Sequence, residues 1–426
     1  MGSGKVFSKN FTFLVLGQVS SLFGNYIIKF ALSMYVLDTT GSATIFAGIL
    51  SIATIPTILL SPLGGILADR ANRRNIMVAL DLLSGVSVLA IALLFRSSAI
   101  HHMDIAAIGV LLVIFSVLGA FESPTVQACV PQMHSGDNII KGNAVVNQVA
   151  AVASLIAPIL GSVLYTAVGI GPVMFFTMLC FFLTAGLECF ISLEYHKPVK
   201  KEKIGTIVKN DFKESMRFIG REQTDILKML LLATAMNFLI AGAVGVGLPF
   251  IVRNILGMSA GMYGIAESLM GLAAILGGVA AGALAGKHEA KRSVWANKLF
   301  GGIVPVGICF LLSGGVFLFP LGEIARYAAN LIGFCGIQMF ASVFSIFALS
   351  YIQQKTPNHL IGKVMSYAMA ISMCAQPLSQ AVYGVLFDRL GQSVYLILGA
   401  AGIVVLAIAR YSPGALPMNS REFVKR

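Results

Sequence analysis

Charge is scarce in this chain. Only 11% of its 426 residues are Asp, Glu, Lys or Arg, where a soluble domain carries roughly a quarter. With 57% hydrophobic residues and a mean hydropathy of +0.86, a water-soluble globule is excluded. Acid is scarcer than base, 18 against 30, for a net charge of +12. Such a surplus can mark a nucleic-acid binder. Here the basic residues stand in short turns between apolar runs, where they act as topology signals, so no nucleic acid is expected as partner. The six cysteines lie in or beside apolar runs without close pairing, and read as reduced, small apolar residues rather than a disulfide framework. No Gly-x-x-x-x-Gly-Lys-Ser/Thr loop occurs, which argues against direct ATP drive. No nucleophile set or metal-ligand set is visible. His101 and His102 are adjacent rather than at helical metal spacing, and suit a surface role. No catalytic residue, metal or organic cofactor is expected.

What the chain has instead is apolar length. A helix needs about 20 apolar residues to cross a bilayer, and by that rule about twelve crossings are predicted. They fall near 11–36, 42–65, 76–96, 105–129, 143–167, 171–193, 227–251, 259–285, 294–319, 322–350, 363–387 and 393–411. Breakers such as Thr40-Gly41-Ser42, Gly169-Ile170-Gly171-Pro172 and Gly391-Gln392-Ser393 separate them. The first apolar run is too long for a cleaved signal peptide and is expected to stay as a membrane helix. The expected class is an all-α membrane protein of two six-helix bundles. Residues 1–193 form the first bundle, 194–226 a cytoplasmic linker, and 227–426 the second bundle. Within the linker, Ile207, Phe212, Met216 and Ile219 are spaced for one face of an amphipathic helix.

The basic residues divide unevenly. Of the 30 Lys and Arg, Arg96, Arg253 and Arg389 fall on one side and Lys29 and Arg326 within the apolar runs; the remaining 25 lie on the other side or at its edge. This predicts a multi-pass protein of the cell (plasma or inner) membrane with both termini in the cytoplasm.

The densest local pattern is Gly65-x-x-x-Asp69-Arg70-x-x-Arg73-Arg74, between the second and third runs. The glycines allow close helix approach. Asp69 stands where a helix ends, so it can cap or pair with the positive end of a neighbouring helix. The arginines can pair with carboxylates at nearby helix ends. Such a cluster can lock one helix arrangement and release another. A weaker echo, Gly282-Ala-Leu-Ala-Gly286-Lys287, follows 217 residues later without the aspartate. Two bundles related in this way place a substrate site at their shared interface near mid-membrane.

These residues resemble the major facilitator superfamily, and Gly65–Arg74 matches its signature turn. The first part of the chain is similar to the drug:proton antiporter branch that includes macrolide-efflux proteins and some siderophore exporters. That likeness is carried by Leu16–Asn25, Asp38–Ser42, Pro56, Leu67–Arg74 with Asp81, Phe121–Pro124, Pro131 and Gly142-Asn143-Ala144. The branch often has an aspartate where this chain has Asn25, and a Gly-Pro motif where it has Ala157-Pro158. The resemblance implies export of amphipathic or cationic organic compounds by alternating access, with the proton gradient as driving force. A dedicated exporter or flippase of a siderophore or lysolipid, or a non-transporting membrane sensor, is the alternative. The implied partners are a small-molecule substrate, protons and membrane lipids, with a monomer as the oligomeric state.

The gate set is Gly65, Asp69, Arg70, Arg73, Arg74 and Asp81, with Arg70 or Arg73 expected on Asp81. Asp81 and Glu188 are expected to receive the gate arginines rather than cargo. The clasp partner is expected near residues 362–366. Ionisable residues at membrane depth are expensive and therefore functional candidates. Those for proton coupling are Glu122, Glu267 and Lys29, with structural ion pairs as the alternative. Lys29 could pair with Glu267. Glu323 and Arg326 are expected to satisfy each other at i,i+3. Pro124, Pro158 and Gly161 are candidates for helix bends and close packing. In the resembled family the Pro158–Gly161 position helps seal the bundle interface against proton leak. Asn25, Asn147, Gln148, Asn237, Gln338 and Gln376 are candidates for a substrate cavity, or for helix–helix hydrogen bonds.

Overall fold

A computed structural model describes residues 7–96, 104–135, 137–193, 213–285, 292–357 and 360–415. His101, His102, Gly286, Lys287 and the linker through residue 212 lie outside the described residues, as do the side chains of Asp69 and Arg292.

Twelve long helices follow one another. They are α1 (Lys9–Thr40), α2 (Ala43–Arg70), α3 (Arg73–Arg96), α4 (Asp104–Met133), α5 (Asp137–Val168) and α6 (Ile170–Cys189). Then come α7 (Thr224–Ile255), α8 (Ala260–Ala285), α9 (Arg292–Gly315), α10 (Glu323–Lys355), α11 (Ile361–Leu390) and α12 (Val394–Ala415). Helix is the form forced on apolar backbone in lipid, because it satisfies its own N–H and C=O groups. Each predicted crossing corresponds to one of these helices. Most extend beyond the apolar run at one or both ends, since the polar residues there continue the helix outside the hydrocarbon.

The chain divides into two compact units. The first comprises 1–40, 49–208 and 260–268, so it includes the first two turns of α8. The second comprises 41–48, 209–259 and 269–426, and so includes the start of α2.

Within the first unit, Pro124 leaves the Ala120 carbonyl of α4 without its helical donor. Gly64 of α2 is packed onto that carbonyl; a Cβ there would lie 2.2 Å from the oxygen. Gly65, which the signature singled out for close approach, faces open space, so its neighbour takes that role. In the second unit Gly277 of α8 sits in the same way on the Met339 carbonyl of α10, where a Cβ would lie at 2.3 Å. The two glycines are not counterparts under the 217-residue offset, which carries Gly64 to Ala281, one turn beyond Gly277.

Helix α7 passes Pro249 by widening. Its turns Ala243–Gly247 and Ile251–Ile255 are π-helical. The proline offers no N–H and its ring crowds the carbonyl four residues earlier, so the wider turn relieves both. Just before the first widened turn, α7 is bonded to α11. Ser379 Oγ accepts from Gly242 N at 2.8 Å and donates to the Phe238 carbonyl, and Tyr383 Oη donates to the Leu239 carbonyl at 2.9 Å. The start of α2, in the same unit, is capped from α11. Asp388 accepts from Ala43 N at 2.7 Å, Thr44 N at 2.9 Å and Ser42 Oγ at 2.7 Å. Residues 213–222 are helical before α7, with Phe218 and Ile219 buried. Of the apolar face predicted for the linker, only Met216 and Ile219 fall among the described residues.

Candidate functional site

The basic turn places Arg70 as the last residue of α2 and Arg73 and Arg74 at the start of α3. Arg73 donates to the carbonyls of Ala68 at 2.9 Å and Ala128 at 2.8 Å, and to Gln132 Oε1 at 3.1 Å. Arg74 donates to the carbonyl of Cys189. These two arginines therefore bond the electronegative carbonyls at the ends of α2, α4 and α6, where the expectation was carboxylates. The turn ties the helix ends of the first unit together.

Asp81 corrects the expectation more sharply. It is two turns inside α3 and 2% exposed. Its Oδ1 accepts from Ser21 Oγ at 2.8 Å, and its Oδ2 meets no donor among the described residues. Among the described residues no guanidinium reaches it, and Arg73 and Arg74 are drawn back to the helix ends. Its neighbours are acids. The same Ser21 hydroxyl stands 3.3 Å from Glu122 Oε1 of α4. Glu188 of α6, 1% exposed, lies within hydrogen-bonding reach of Asp81, and its Oε2 likewise meets no donor among the described residues. Gln18, also buried, lies one turn from Ser21 on the same face of α1. Four helices thus bring two carboxyl groups onto one serine and a third beside the first of them. Asp81 and Glu188 are buried and Glu122 is half-buried beside them. Glu122 was legible as a candidate; the grouping of Asp81 and Glu188 with it was not, because each sits near a basic turn or a helix end in sequence.

Lys29 and Glu267 line a separate cavity of about 280 Å³ in the first unit. Gly161 allows α5 to approach α1 at Ile27 and Phe30, where a Cβ would meet atoms at 3.3 Å. Gly264 brings α8 onto Pro158 and Ser162, where a Cβ would meet Ser162 Oγ at 2.6 Å. Pro158 and Gly161 therefore serve the close packing that forms this cavity. The predicted Lys29–Glu267 ion pair is absent among the described residues; the two face the same space instead. Glu267 is hydrogen-bonded to Tyr263.

The second unit contains a larger cavity of about 550 Å³, between α7, α10 and α11. Its walls are mainly apolar, with Ala and Met the commonest, and Asn237, Gln338, Gln376 and Gln380 supply polar points together with three serines. Asn237 Nδ2 donates to the Ser372 carbonyl at 2.9 Å, which fixes its amide. Three of the predicted cavity residues thus meet here, and Gln380 is added. Of the other three, Asn147 and Gln148 are exposed on α5 and Asn25 is half-buried on α1; they line neither cavity. The region 362–366 carries a contact of its own, Lys363 Nζ to Glu214 Oε2 at 2.8 Å. Arg326 donates to the Phe319 carbonyl at 3.1 Å and forms no ion pair with Glu323 among the described residues.

A profile of the Major Facilitator Superfamily matches residues 14–379. Macrolide efflux protein A of Streptococcus pyogenes is 21% identical over 403 residues, covering 92% of this chain and 93% of that protein. The multidrug efflux pump Tap of Mycolicibacterium fortuitum is 24% identical over 407 residues, covering 92% of each. Among solved structures, a peptide transporter POT in complex with alafosfalin superposes with a TM-score of 0.72 at 16% identity, covering 96% of this chain and 95% of the other. A bacterial homologue of the iron transporter ferroportin, inward-facing, gives 0.70 at 15% identity, covering 94% and 97%. At such identities the structural likeness speaks to the fold.

Proposed function

The chain belongs to the major facilitator superfamily and is a multi-pass membrane transporter of small molecules, and we propose that it is a secondary active exporter in which protons moving inward drive amphipathic or cationic organic compounds outward. The observation that carries this reading is the carboxyl group cluster in which Asp81 and Glu122 share Ser21 and Glu188 stands beside Asp81. Acids held at membrane depth among four packed helices are expensive to keep, and taking up and releasing protons is a use that accounts for them. The named activities of the efflux proteins it is similar to support the direction and the cargo class. The cavity of the second unit suits such cargo. It is large, mostly apolar, lined by adaptable Met side chains, and offers amides rather than charges.

In this reading the cluster takes up a proton when it faces one side and gives it up when it faces the other, and alternation between those states moves cargo. Asp69 and the arginines of the basic turn would hold the gate on the cytoplasmic side. The test is reconstitution in vesicles with an imposed pH gradient and a lipophilic cationic dye. Wild type is expected to move dye against its gradient. Asp81→Asn, Glu122→Gln and Glu188→Gln are each expected to lose that dependence while still binding dye. Unchanged gradient dependence in all three would refute the proton assignment.

A further inference from the structure

The small cavity of the first unit is left unused by that mechanism, and its chemistry differs from the cargo cavity. It is walled by Tyr26, Lys29 and Phe30 of α1, Ser154 of α5, and Tyr263 and Glu267 of α8. Phe30 and Tyr263 stack with ring centroids 5.4 Å apart at 20°, forming a flat apolar wall. At about 280 Å³ the space suits a molecule of amino-acid size and excludes a macrolide.

Its charges make it selective. Lys29 and Glu267 face one space yet form no ion pair with each other among the described residues. Glu267 is bonded to Tyr263 and Lys29 has Glu122 as its acidic neighbour, and each still turns hydrogen-bonding capacity to the shared space. The helices that carry them are held by the close glycine contacts of Gly161 and Gly264. The occupant that answers this geometry brings its own cation for the carboxylate and its own anion for the ammonium.

We propose that this cavity binds a small zwitterion, an ammonium and a carboxylate beside an apolar or aromatic side group. Glu267 receives the ammonium, Lys29 the carboxylate, and the Phe30–Tyr263 wall the side group. This goes beyond the exporter reading: the site is in a different cavity, takes a different class of ligand and does not depend on proton drive.

The test uses the purified full-length chain in detergent and three probes with one ring and different charges. Radiolabelled phenylalanine is bound at equilibrium, with phenethylamine and 3-phenylpropionate as competitors. Phenylalanine is expected to saturate, and each competitor to be at least about tenfold weaker, since each lacks one charge-assisted contact. Glu267→Gln is expected to erase the preference over 3-phenylpropionate, and Lys29→Gln the preference over phenethylamine. Absence of saturable phenylalanine binding by protein that elutes as a single species would overturn the proposal. So would phenethylamine competing as well as phenylalanine. The competitor comparison on the unaltered chain decides the matter even if a variant fails to fold. Loss of this binding beside intact proton-driven dye transport would remove this site alone.

Discussion

Replacing Gly64 by alanine adds one methyl group where there is no room for it. The new Cβ would stand 2.2 Å from the Ala120 carbonyl oxygen, whereas a carbon–oxygen contact of this type settles at about 3.3–3.6 Å. Helix α2 must therefore retreat from α4 by about 1 Å at that point. Overpacking of this size costs about 1–3 kcal/mol. The adjacent Gly65→Ala meets open space, and gains about 0.5–1 kcal/mol of helix propensity instead. The displacement falls beside Glu122, whose bond to Ser21 is already 3.3 Å and would be lost with a further shift. Two readouts follow. In thermal denaturation in detergent, Gly64→Ala is expected to unfold several degrees below wild type and Gly65→Ala at or above it. In vesicles, Gly64→Ala is expected to lose pH-gradient dependence to a greater degree than dye binding. Equal melting temperatures for the two variants would refute the packing argument. Intact coupling in a destabilised Gly64→Ala would refute the link to Glu122.

Two further outcomes concern the second unit. Ser379→Ala removes the α11 hydroxyl that bonds the Gly242 N–H and the Phe238 carbonyl of α7, so a loss of about 0.5–1.5 kcal/mol is expected. It would be read as a lower melting temperature, and an unchanged one would show that water replaces the hydroxyl. Asp388→Asn removes the charge that caps α2 and replaces one accepting oxygen by a donor. About 1 kcal/mol is expected to be lost. Faster amide hydrogen exchange confined to the first turn of α2 would locate the effect, and unchanged exchange there would contradict it.

The fold was legible because bilayer-length apolar runs are few-valued: about 20 residues in lipid leave helix as the one solution. Single charges inside such runs were equally visible, which is how Glu122, Glu267 and Lys29 came forward. What stayed hidden was assembly. Asp81 sits seven residues after Arg74, and sequence proximity suggested an ion pair. The helix turned its carboxyl group inward to Ser21, while the arginines turned to helix-end carbonyls. Asn147 and Gln148 looked like Asn237 and Gln338 in sequence, but the latter pair lines the cavity of the second unit and the former is exposed on α5. Which face of a helix turns inward depends on packing between helices, and a uniformly apolar run carries almost no periodic signal of it.

The widened stretch of α7 has a mechanical consequence. Just ahead of it, two carbonyls and one amide of α7 are also held by the hydroxyls of Ser379 and Tyr383. Sliding α7 along α11 would break all three links together. The pair must accordingly travel as a single strut, and whatever reshapes the larger cavity during a cycle is left to its third wall, α10.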